Sequence, residues 1–212
     1  MSKVKTLVLL NDYWHPRSSI EPAIPTIFPE SQFEVTVTEN PEDIGPGFDL
    51  IVNFKDGIAN TQIPTPNWYE GPLDGLIADL VLGGCGYFGI HCGIANVPKE
   101  SRVFTDILKG RFLNHPPACP VYFEPAEGHP LTDGAKAFDV TDEHYNVEVL
   151  SKETSVLGWS RSSHGKFPAL WAHKAGKGKV CAVTPGHTLE VLLNPEYSKL
   201  LRNAALWCAG KL

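Results

Sequence analysis

The sequence lacks any apolar run close to the roughly 20 residues that a membrane-spanning helix needs. The apolar run within Met1 to Leu10 is too short for the core of a signal peptide, and no small-residue cleavage site follows it. We therefore expect neither a membrane anchor nor a secretory signal, and we expect a cytoplasmic protein.

Positive charge is also scarce in this chain. Lys and Arg number 18 against 24 Asp and Glu, which gives a formal net charge of -6. The longest basic stretch, residues 174–179, alternates Lys with Gly and Ala and indicates a turn. Without a cluster of Lys and Arg the chain cannot neutralise a row of phosphates, so we expect no nucleic-acid partner. An acidic, apolar-rich domain of this kind is compatible with a homo-oligomer.

The five cysteines form no CxxC pair and no zinc-ribbon spacing. Their number is odd and their positions are scattered, as expected of reduced thiols in a cytosolic protein rather than of a disulfide framework. They are Cys85, Cys92, Cys119, Cys181 and Cys208.

The chain shows no internal repeat, low-complexity tract or linker, and we expect residues 1–212 to form a single domain. In the first half, apolar segments typical of buried strands alternate with helical patterns. The predicted strands are residues 5–10, 33–38, 48–54 and 86–91, and the predicted helices are residues 68–82 and 101–110. This alternation predicts an α/β three-layer sandwich, in which a mostly parallel central sheet carries helices on both faces.

The second half of the chain predicts extra short strands with few helices between them. These strands are residues 121–125, 137–141, 145–150, 168–173 and 180–183. Residues 175–179 have the composition of a hairpin turn. Residues 194–209 have the amphipathic pattern of a closing helix.

A tight turn of the form G-x-Nu-x-G follows the fourth predicted strand, at Gly89-Ile90-His91-Cys92-Gly93. In a nucleophile elbow of this form, the glycines let the chain turn sharply and expose the central side chain above the sheet. Here the central residue is His91, whereas Cys92 lies one position later and should point elsewhere. A glycine-rich turn around a hydrogen-bonded histidine is the alternative interpretation.

Several segments occur together in a fixed order: Gly84 to His91, Gly128-His-Pro-Leu131, Asp142-Glu-His-Tyr145, Pro168-Ala-Leu-Trp171, Gly176 to Val180 and Gly186-His187. As an ordered set, they resemble the trehalose-utilisation (ThuA-like) family over nearly the whole chain. The resemblance implies a flavodoxin-like, class I glutamine amidotransferase-like fold. It also implies a role in the metabolism of trehalose or a related disaccharide or keto-sugar, with a small carbohydrate as partner.

The resemblance bears on glutaminase chemistry as well. In the amidotransferases, the elbow carries a cysteine that a histidine from a late strand activates. In this chain His91 occupies the elbow and His187 the late-strand position. Because glutaminase chemistry needs a thiolate nucleophile, we expect that the protein is not a glutamine amidotransferase.

Polar residues follow the carboxyl ends of several predicted strands, where sites form in open α/β sheets. His15, the pair Lys55-Asp56, His91 and His187 all stand at such ends, and we expect these four points to converge. The family motif also matches Asp142, Glu143 and Tyr145. If this segment is a strand, Glu143 and Tyr145 share one face, and Asp142 and His144 share the other.

Three interpretations of this cluster stay open at the level of sequence. In the first, some of His15, His91, His187 and Glu143 bind a divalent, zinc-like metal ion. In the second, His91 and His187 act as general acid and base without a metal, and Glu143 orients one of them. In the third, the polar groups only satisfy one another in a cleft.

The leading prediction is a sugar-processing hydrolase or lyase, with His91, His187, Glu143 and Tyr145 as catalytic residues. Trp14, His15 and Lys55 are the predicted substrate-binding residues, since Trp14 adjoins His15 and an aromatic face suits a sugar ring. His115, beside two prolines, is expected at the surface. The alternative is a non-catalytic module that binds a sugar or a partner on an amidotransferase-like scaffold.

Overall fold

The computed structural model describes residues 2–150 and 152–212, and within these residues nine strands form one large mixed sheet. The described residues contain eleven strands, two of which lie outside this sheet. In chain order they are β1 (Val4–Leu9), β2 (Phe33–Thr38), β3 (Leu50–Asn53), β4 (Gly86–Ile90), β5 (Gly110–Asn114), β6 (Cys119–Pro125), β7 (Phe138–Asp142), β8 (Asn146–Val149), β9 (Ser155–Ser162), β10 (Gly165–Ala175) and β11 (Gly178–Val183). The order across the sheet is β2-β1-β3-β4-β11-β10-β9-β6-β7. β5 and β8 form a separate antiparallel pair.

The large sheet is parallel on one side and antiparallel on the other. The strands from β2 to β11 in the sheet order pair in parallel, whereas β10, β9, β6 and β7 are added antiparallel. The expectation of a mostly parallel sheet therefore holds only for the first five strands. The reason lies in the connections, because the short turn between Ala175 and Gly178 can join only antiparallel strands.

Both faces of the sheet carry apolar side chains, as the continuous apolar run of β1 predicts. Val4 and Val8 pack in one cluster, with Leu201 of α5 (Pro195–Cys208). Leu7 and Leu9 pack in the other cluster, which includes residues of α3 (Pro72–Gly83). The remaining helices are the single turns α1 (Arg17–Ile20), α2 (Ile24–Ile27) and α4 (Leu189–Leu192).

The closing helix α5 forms where its pattern predicts. Asn194 caps its start by accepting hydrogen bonds from the backbone N–H groups of Glu196 and Tyr197, and Pro195 occupies the first helical position. Gly210 follows the last turn with a φ of 70°, a left-handed conformation that glycine adopts without strain. These end signals explain why its limits were predictable to within one residue.

Two predicted helices differ from the structure. The helix predicted over residues 68–82 begins only at Pro72, because Gly71 has a φ of 105°, which a helix does not allow. Trp68 lies in the loop before the helix, and its indole donates a hydrogen bond to the Asp56 carbonyl. The helix predicted over residues 101–110 is a single wide turn, Val103–Leu108. Its C-cap, Lys109, has a φ of 50°, which ends the helical conformation.

Two strands, β5 and β9, were not predicted. β9 has the sequence SVLGWSRS, in which serines and a glycine dilute the apolar alternation. Its pairing comes from its neighbours β10 and β6, which are adjacent to it only in the folded sheet. Tertiary context therefore overrides a weak local pattern here.

The structure also bears on membrane-spanning helices and on disulfide bonds. Among the residues that the structure describes, no helix is long and apolar enough to cross a membrane. Within the same residues, all five cysteines carry unpaired thiols.

We predict that a buried histidine on β10 makes the stability of the fold depend on pH. Nε2 of His173 lies 2.7 Å from the carbonyl oxygen of Ile107, and burial lowers the pKa of the imidazole to about 4. The unfolded chain binds this proton at higher pH than the native protein does, so stability is complete above about pH 6.5 and is lost as the pH falls toward about 4.

Replacement of this residue, His173→Gln, should therefore flatten the pH dependence. Chemical denaturation at about pH 7.5 and about pH 5 should show that the difference in unfolding free energy shrinks by about 2 kcal/mol. The control is His164→Gln, at an exposed position between β9 and β10, which should leave the difference unchanged. An unaltered pH dependence in His173→Gln would contradict the prediction.

Candidate functional site

Three histidines meet at the carboxyl edge of the parallel strands. His15 follows β1, His91 follows β4 and His187 follows β11. The ring centroids of His15 and His91 are 4.9 Å apart, those of His15 and His187 are 5.0 Å apart, and those of His91 and His187 are 5.6 Å apart. Because parallel strands end at the same edge, residues far apart in sequence come into contact here.

The turn after β4 is as sharp as the elbow motif implies. His91 has a φ of 50° and begins a short 3-10 turn, His91–Ile94. Gly93 is required by close packing, since a Cβ there would overlap the carbonyl oxygen of Asn53. A Cβ on Gly186 would lie 2.9 Å from the Cβ of His91. The glycines thus let two loops approach closely and hold His91 between them.

The imidazole of His91 is fully buried, and its two nitrogens have different surroundings. Its Nδ1 lies 2.7 Å from the carbonyl oxygen of Thr184, which can only accept, so Nδ1 carries the proton. Its Nε2 lies 3.3 Å from Oε2 of Glu143 and makes no hydrogen bond to any residue that the structure describes. The ring of Tyr145 stacks on that of His91, with centroids 4.2 Å apart.

His15 is also held through its Nδ1, by a carboxylate instead of a backbone carbonyl. Its Nδ1 lies 2.9 Å from Oδ1 of Asp12, so this nitrogen also carries a proton. Its Nε2 then faces Nδ1 of His187 at 3.1 Å. Asp12 accepts further hydrogen bonds from the backbone N–H groups of Trp14, His15 and Asp56. Burial acts to raise the pKa of Asp12, but these bonds and the charge of His15 lower it overall.

Glu143 reaches into the cluster from the segment between β7 and β8. Its Oε2 lies 3.4 Å from Nδ1 of His187, and its Oε1 lies 3.6 Å from Nε2 of His115. Burial acts to raise the pKa of Glu143, but His91, His187 and His115 lower it to about 2. Burial lowers the pKa of His91, and the carboxylates of Glu143 and Asp142 more than reverse this. The pair therefore favours an ionised Glu143.

Asp142 ties the loop that carries Glu143 to the loop that carries His187. It is buried at the end of β7, and its carboxylate accepts hydrogen bonds from the backbone N–H groups of Gly186 at 2.8 Å and His187 at 3.2 Å. Residues 142–145 do not form one strand, because β7 ends at Asp142 and β8 begins at Asn146, close to the predicted limits of the two strands. Glu143 and Tyr145 nevertheless both face His91, whereas His144 binds Ser160 and Ser162.

A pocket of about 370 Å³ opens onto the cluster. Its lining includes Trp14, His15, Asp56, Asn96, His115, Glu143 and Tyr145. Trp14 is half exposed, and its indole donates to the hydroxyl of Thr61. A larger and more open depression, lined by residues within 124–137 and by Leu212, has a volume of about 950 Å³. The smaller pocket is the better candidate, because His15 and Glu143 of the histidine cluster line it.

Asp56 and His115 line this pocket. The sequence places Asp56 at a converging strand end but does not predict a role for it, and it does not place His115 at the site. Both oxygens of the Asp56 carboxylate accept from the side chain of Asn96, and burial raises the pKa of Asp56 to about 6. Lys55 and Asp56 both follow β3, and the sequence predicts substrate binding for Lys55. Lys55 lies outside the pocket, buried, and donates to the carbonyl of Asn11.

Cys92, next to the elbow position, is buried rather than presented to the pocket. Its thiol donates to the carbonyl oxygen of Phe54 at 2.7 Å. Burial raises the pKa of this thiol well above its usual value. A reactive thiolate is therefore disfavoured at this position.

We predict that Asp142 contributes strongly to stability through the two loops that it joins. Asp142→Ala leaves the N–H groups of Gly186 and His187 without their buried acceptor, which should lower the unfolding free energy by about 2–4 kcal/mol. Urea denaturation measures the change. Asp139→Ala, at an exposed position on the same strand, is the matched control and should cost less than about 0.5 kcal/mol. Equal losses in the two variants would refute the role of Asp142.

Known structures share this fold at low sequence identity. A ThuA-like protein of Parabacteroides merdae is 15% identical with a TM-score of 0.77, over 100% of this chain and 92% of that one. A ThuA-like protein of Bacteroides uniformis is 18% identical with a TM-score of 0.70, over 97% and 91%. A cytoplasmic protein of Salmonella typhimurium is 13% identical with a TM-score of 0.65, over 96% and 99%. Identities this low establish similarity of fold alone.

The match in sequence is to a family rather than to a single relative. No curated protein matches the chain. A family model described as trehalose utilisation, ThuA, matches residues 5–208. Since this match spans almost the full length, the chain belongs to the ThuA (trehalose utilisation) family.

Proposed function

We propose that the protein is a carbohydrate-processing enzyme, a hydrolase or lyase that acts on trehalose or a related disaccharide or keto-sugar. The observation that carries this proposal is the pocket in which Trp14, Asp56, His15 and Glu143 converge. Membership of the ThuA family supports the choice of a sugar as the substrate class. The partner in this proposal is a small carbohydrate, and neither a nucleic acid nor a membrane.

The pocket offers groups suited to transferring protons. Glu143 is held ionised and can accept a proton, whereas Asp56, with a pKa of about 6, is part protonated near neutral pH and can donate one. Hydrolysis of a glycosidic bond needs both, since water loses a proton and the departing oxygen gains one. A lyase reaction needs the same two transfers on the carbon skeleton.

Trp14 is the group best placed to bind a sugar ring. Its indole lies at the rim of the pocket, half exposed, and is oriented by hydrogen bonds at its backbone N–H and at Nε1. A flat apolar surface with a fixed orientation packs against the C–H face of a pyranose. The proposal gives Trp14 the role of substrate binding and leaves the proton transfers to the carboxylates.

The proposal extends to the architecture and location of the protein. We assign the fold to the three-layer, flavodoxin-like arrangement of the class I glutamine amidotransferase-like proteins, which the two apolar faces of the sheet support. We place the protein in the cytoplasm, which the similarity to a cytoplasmic Salmonella protein supports. The buried thiol of Cys92 argues against glutaminase activity.

A non-catalytic, sugar-binding module is the second candidate. It is favoured by the elbow, where a histidine stands in the position that carries the nucleophile in related folds. On this alternative the pocket binds the same sugars without converting them. Calorimetry with trehalose and its oxidised forms, combined with product analysis, distinguishes the two candidates.

We predict that Glu143→Gln abolishes turnover without abolishing the fold. Removal of the ionised carboxylate should lower kcat/KM on the converted sugar by about 100-fold or more. The assay follows products from a panel of trehalose, related disaccharides and their keto derivatives. Glu148→Gln on β8, a surface glutamate paired with Arg111, is the control and should retain activity. If no sugar in the panel is converted by the native protein, the enzymatic proposal fails.

We predict that Trp14→Ala acts mainly on substrate binding. Loss of the stacking surface should raise KM several-fold while kcat changes little, because the indole is outside the proton-transfer groups. Tyr13→Ala is the matched control, since Tyr13 is equally exposed next to Trp14 and lies outside the pocket lining. An equal increase of KM in both variants, or a fall in kcat alone, would contradict this role for Trp14.

A further inference from the structure

We infer that His15, His91, His187 and Glu143 together bind one divalent transition-metal ion of the zinc class. Each residue offers one ligand atom, and the four atoms all lie within 4.8 Å of one another. Imidazole nitrogen with one carboxylate oxygen is a donor set that suits zinc and similar ions. The inference rests on the proposed function only in that it names the ion of the same site, and it is tested without turnover.

The hydrogen bonds around the cluster fix which nitrogens are free. In His91 the proton is on Nδ1, held by the Thr184 carbonyl, and in His15 it is on Nδ1, held by the Asp12 carboxylate. In the neutral rings, each Nε2 atom therefore carries a lone pair that points into the cluster. Metal-binding histidines have this arrangement, in which a carbonyl or carboxylate holds the outer nitrogen and orients the inner one.

A second observation, independent of the distances between the ligand atoms, is the unpartnered nitrogen of His91. Its Nε2 is completely buried, faces the Glu143 carboxylate at 3.3 Å, and makes no hydrogen bond to any described residue. A buried ring nitrogen without a hydrogen-bond partner is uncommon in native proteins and indicates a partner that the described side chains do not supply. A metal ion among the four ligand atoms would be that partner.

The separations agree with the size of such an ion. Ligand atoms bound at about 2.0–2.1 Å in a tetrahedron lie about 3.3–3.4 Å apart. The separation of His91 Nε2 from Glu143 Oε2 is 3.3 Å, that of His187 Nδ1 from Glu143 Oε2 is 3.4 Å, and that of His15 Nε2 from His187 Nδ1 is 3.1 Å. Two of these edges thus have the length that four-coordinate zinc requires, and the third is slightly shorter.

Glu143 and His15 are the two proposed ligands that face the pocket. His91, in contrast, is closed off from solvent beneath the stacked ring of Tyr145. An ion held here is accessible from the pocket side. A zinc-class ion in this position would supply Lewis-acid activation of a bound water or sugar oxygen.

The rival explanation is a proton in place of the ion. A proton on Nε2 of His91 would also give this nitrogen a partner, and it predicts a hydrogen bond to the Glu143 carboxylate. The two atoms lie 3.3 Å apart, but the pair does not have the geometry of a hydrogen bond. The two explanations differ in whether the protein binds a metal, which is measurable directly.

The test measures metal binding to the intact protein. The chain is stripped with a chelator, and its zinc affinity and stoichiometry are measured by competition with a chromophoric chelator. Cobalt(II) is added to a second sample, and its visible absorption spectrum reports the coordination. The variants are His91→Gln and Glu143→Gln, with His129→Gln as control because His129 lies in the separate open depression. Circular dichroism confirms that each variant is folded.

We expect one zinc ion per chain and a cobalt spectrum typical of four- or five-coordinate nitrogen and oxygen ligands. His91→Gln and Glu143→Gln should each weaken zinc binding at least tenfold, and His129→Gln should not. Native protein that binds no zinc or cobalt, or zinc binding that survives in both site variants, would overturn the inference.

The outcomes for the metal and for the function are separable. Zinc bound at this site without conversion of any sugar leaves the metal centre standing and defeats the proposed enzyme. Sugar conversion that is insensitive to chelation, in protein that binds no metal, supports the enzyme and defeats the metal centre.

Discussion

The parallel pairing of β4 with β11 is the constraint on which the site depends. It places Ile90 opposite Val183, so that the chain leaves both strands at the same edge. His91 and the Thr184 carbonyl, 93 residues apart in the sequence, then meet in a buried hydrogen bond. β1 and β3 extend the same parallel arrangement and bring His15 and Asp56 to that edge. The histidine cluster is thus a product of strand order rather than of any local motif.

A histidine at the elbow changes what this scaffold can do. The sharp turn and its close-packed glycines are those of a nucleophile elbow, and the positive φ of His91 shows that the strained conformation is retained. The side chain in that position is an imidazole whose outer nitrogen is held by a carbonyl, which suits it to bind an ion rather than to attack a carbonyl group. The thiol of Cys92, one residue later, is directed to the Phe54 carbonyl.

The sequence allowed a good part of the fold to be predicted, for physical reasons that are visible in particular elements. β1, β2 and β4 were recognisable as strands by their apolar or alternating residues, and α5 by its caps. Prediction from the sequence failed at β9, because the pairing of this strand depends on neighbours that only the folded sheet supplies. The strands β6, β7 and β10 of the antiparallel half were predicted, but their places in the sheet were not, for the same reason.

The candidate site shows the same division between local and distant information. Histidines after strands β1, β4 and β11 were predicted to converge, because strand ends define where a site forms. Asp56 was passed over for Lys55, since adjacent residues at a strand end cannot be ranked without knowing which one the turn buries. His115 is exposed, as expected, and its Nε2 also lies 3.6 Å from Oε1 of Glu143. The tautomers of His15 and His91 depend on Asp12 and Thr184, and only three-dimensional contacts reveal them.

The central claim is that the histidine cluster is a metal centre in a sugar-binding pocket. Anomalous scattering from a crystal of the zinc-loaded protein, recorded on both sides of the zinc absorption edge, tests it most directly. The account predicts one strong peak about 2.0–2.1 Å from Nε2 of His15, Nε2 of His91 and Nδ1 of His187. The absence of a peak among these atoms, with a short hydrogen bond between His91 and Glu143 in its place, would contradict it.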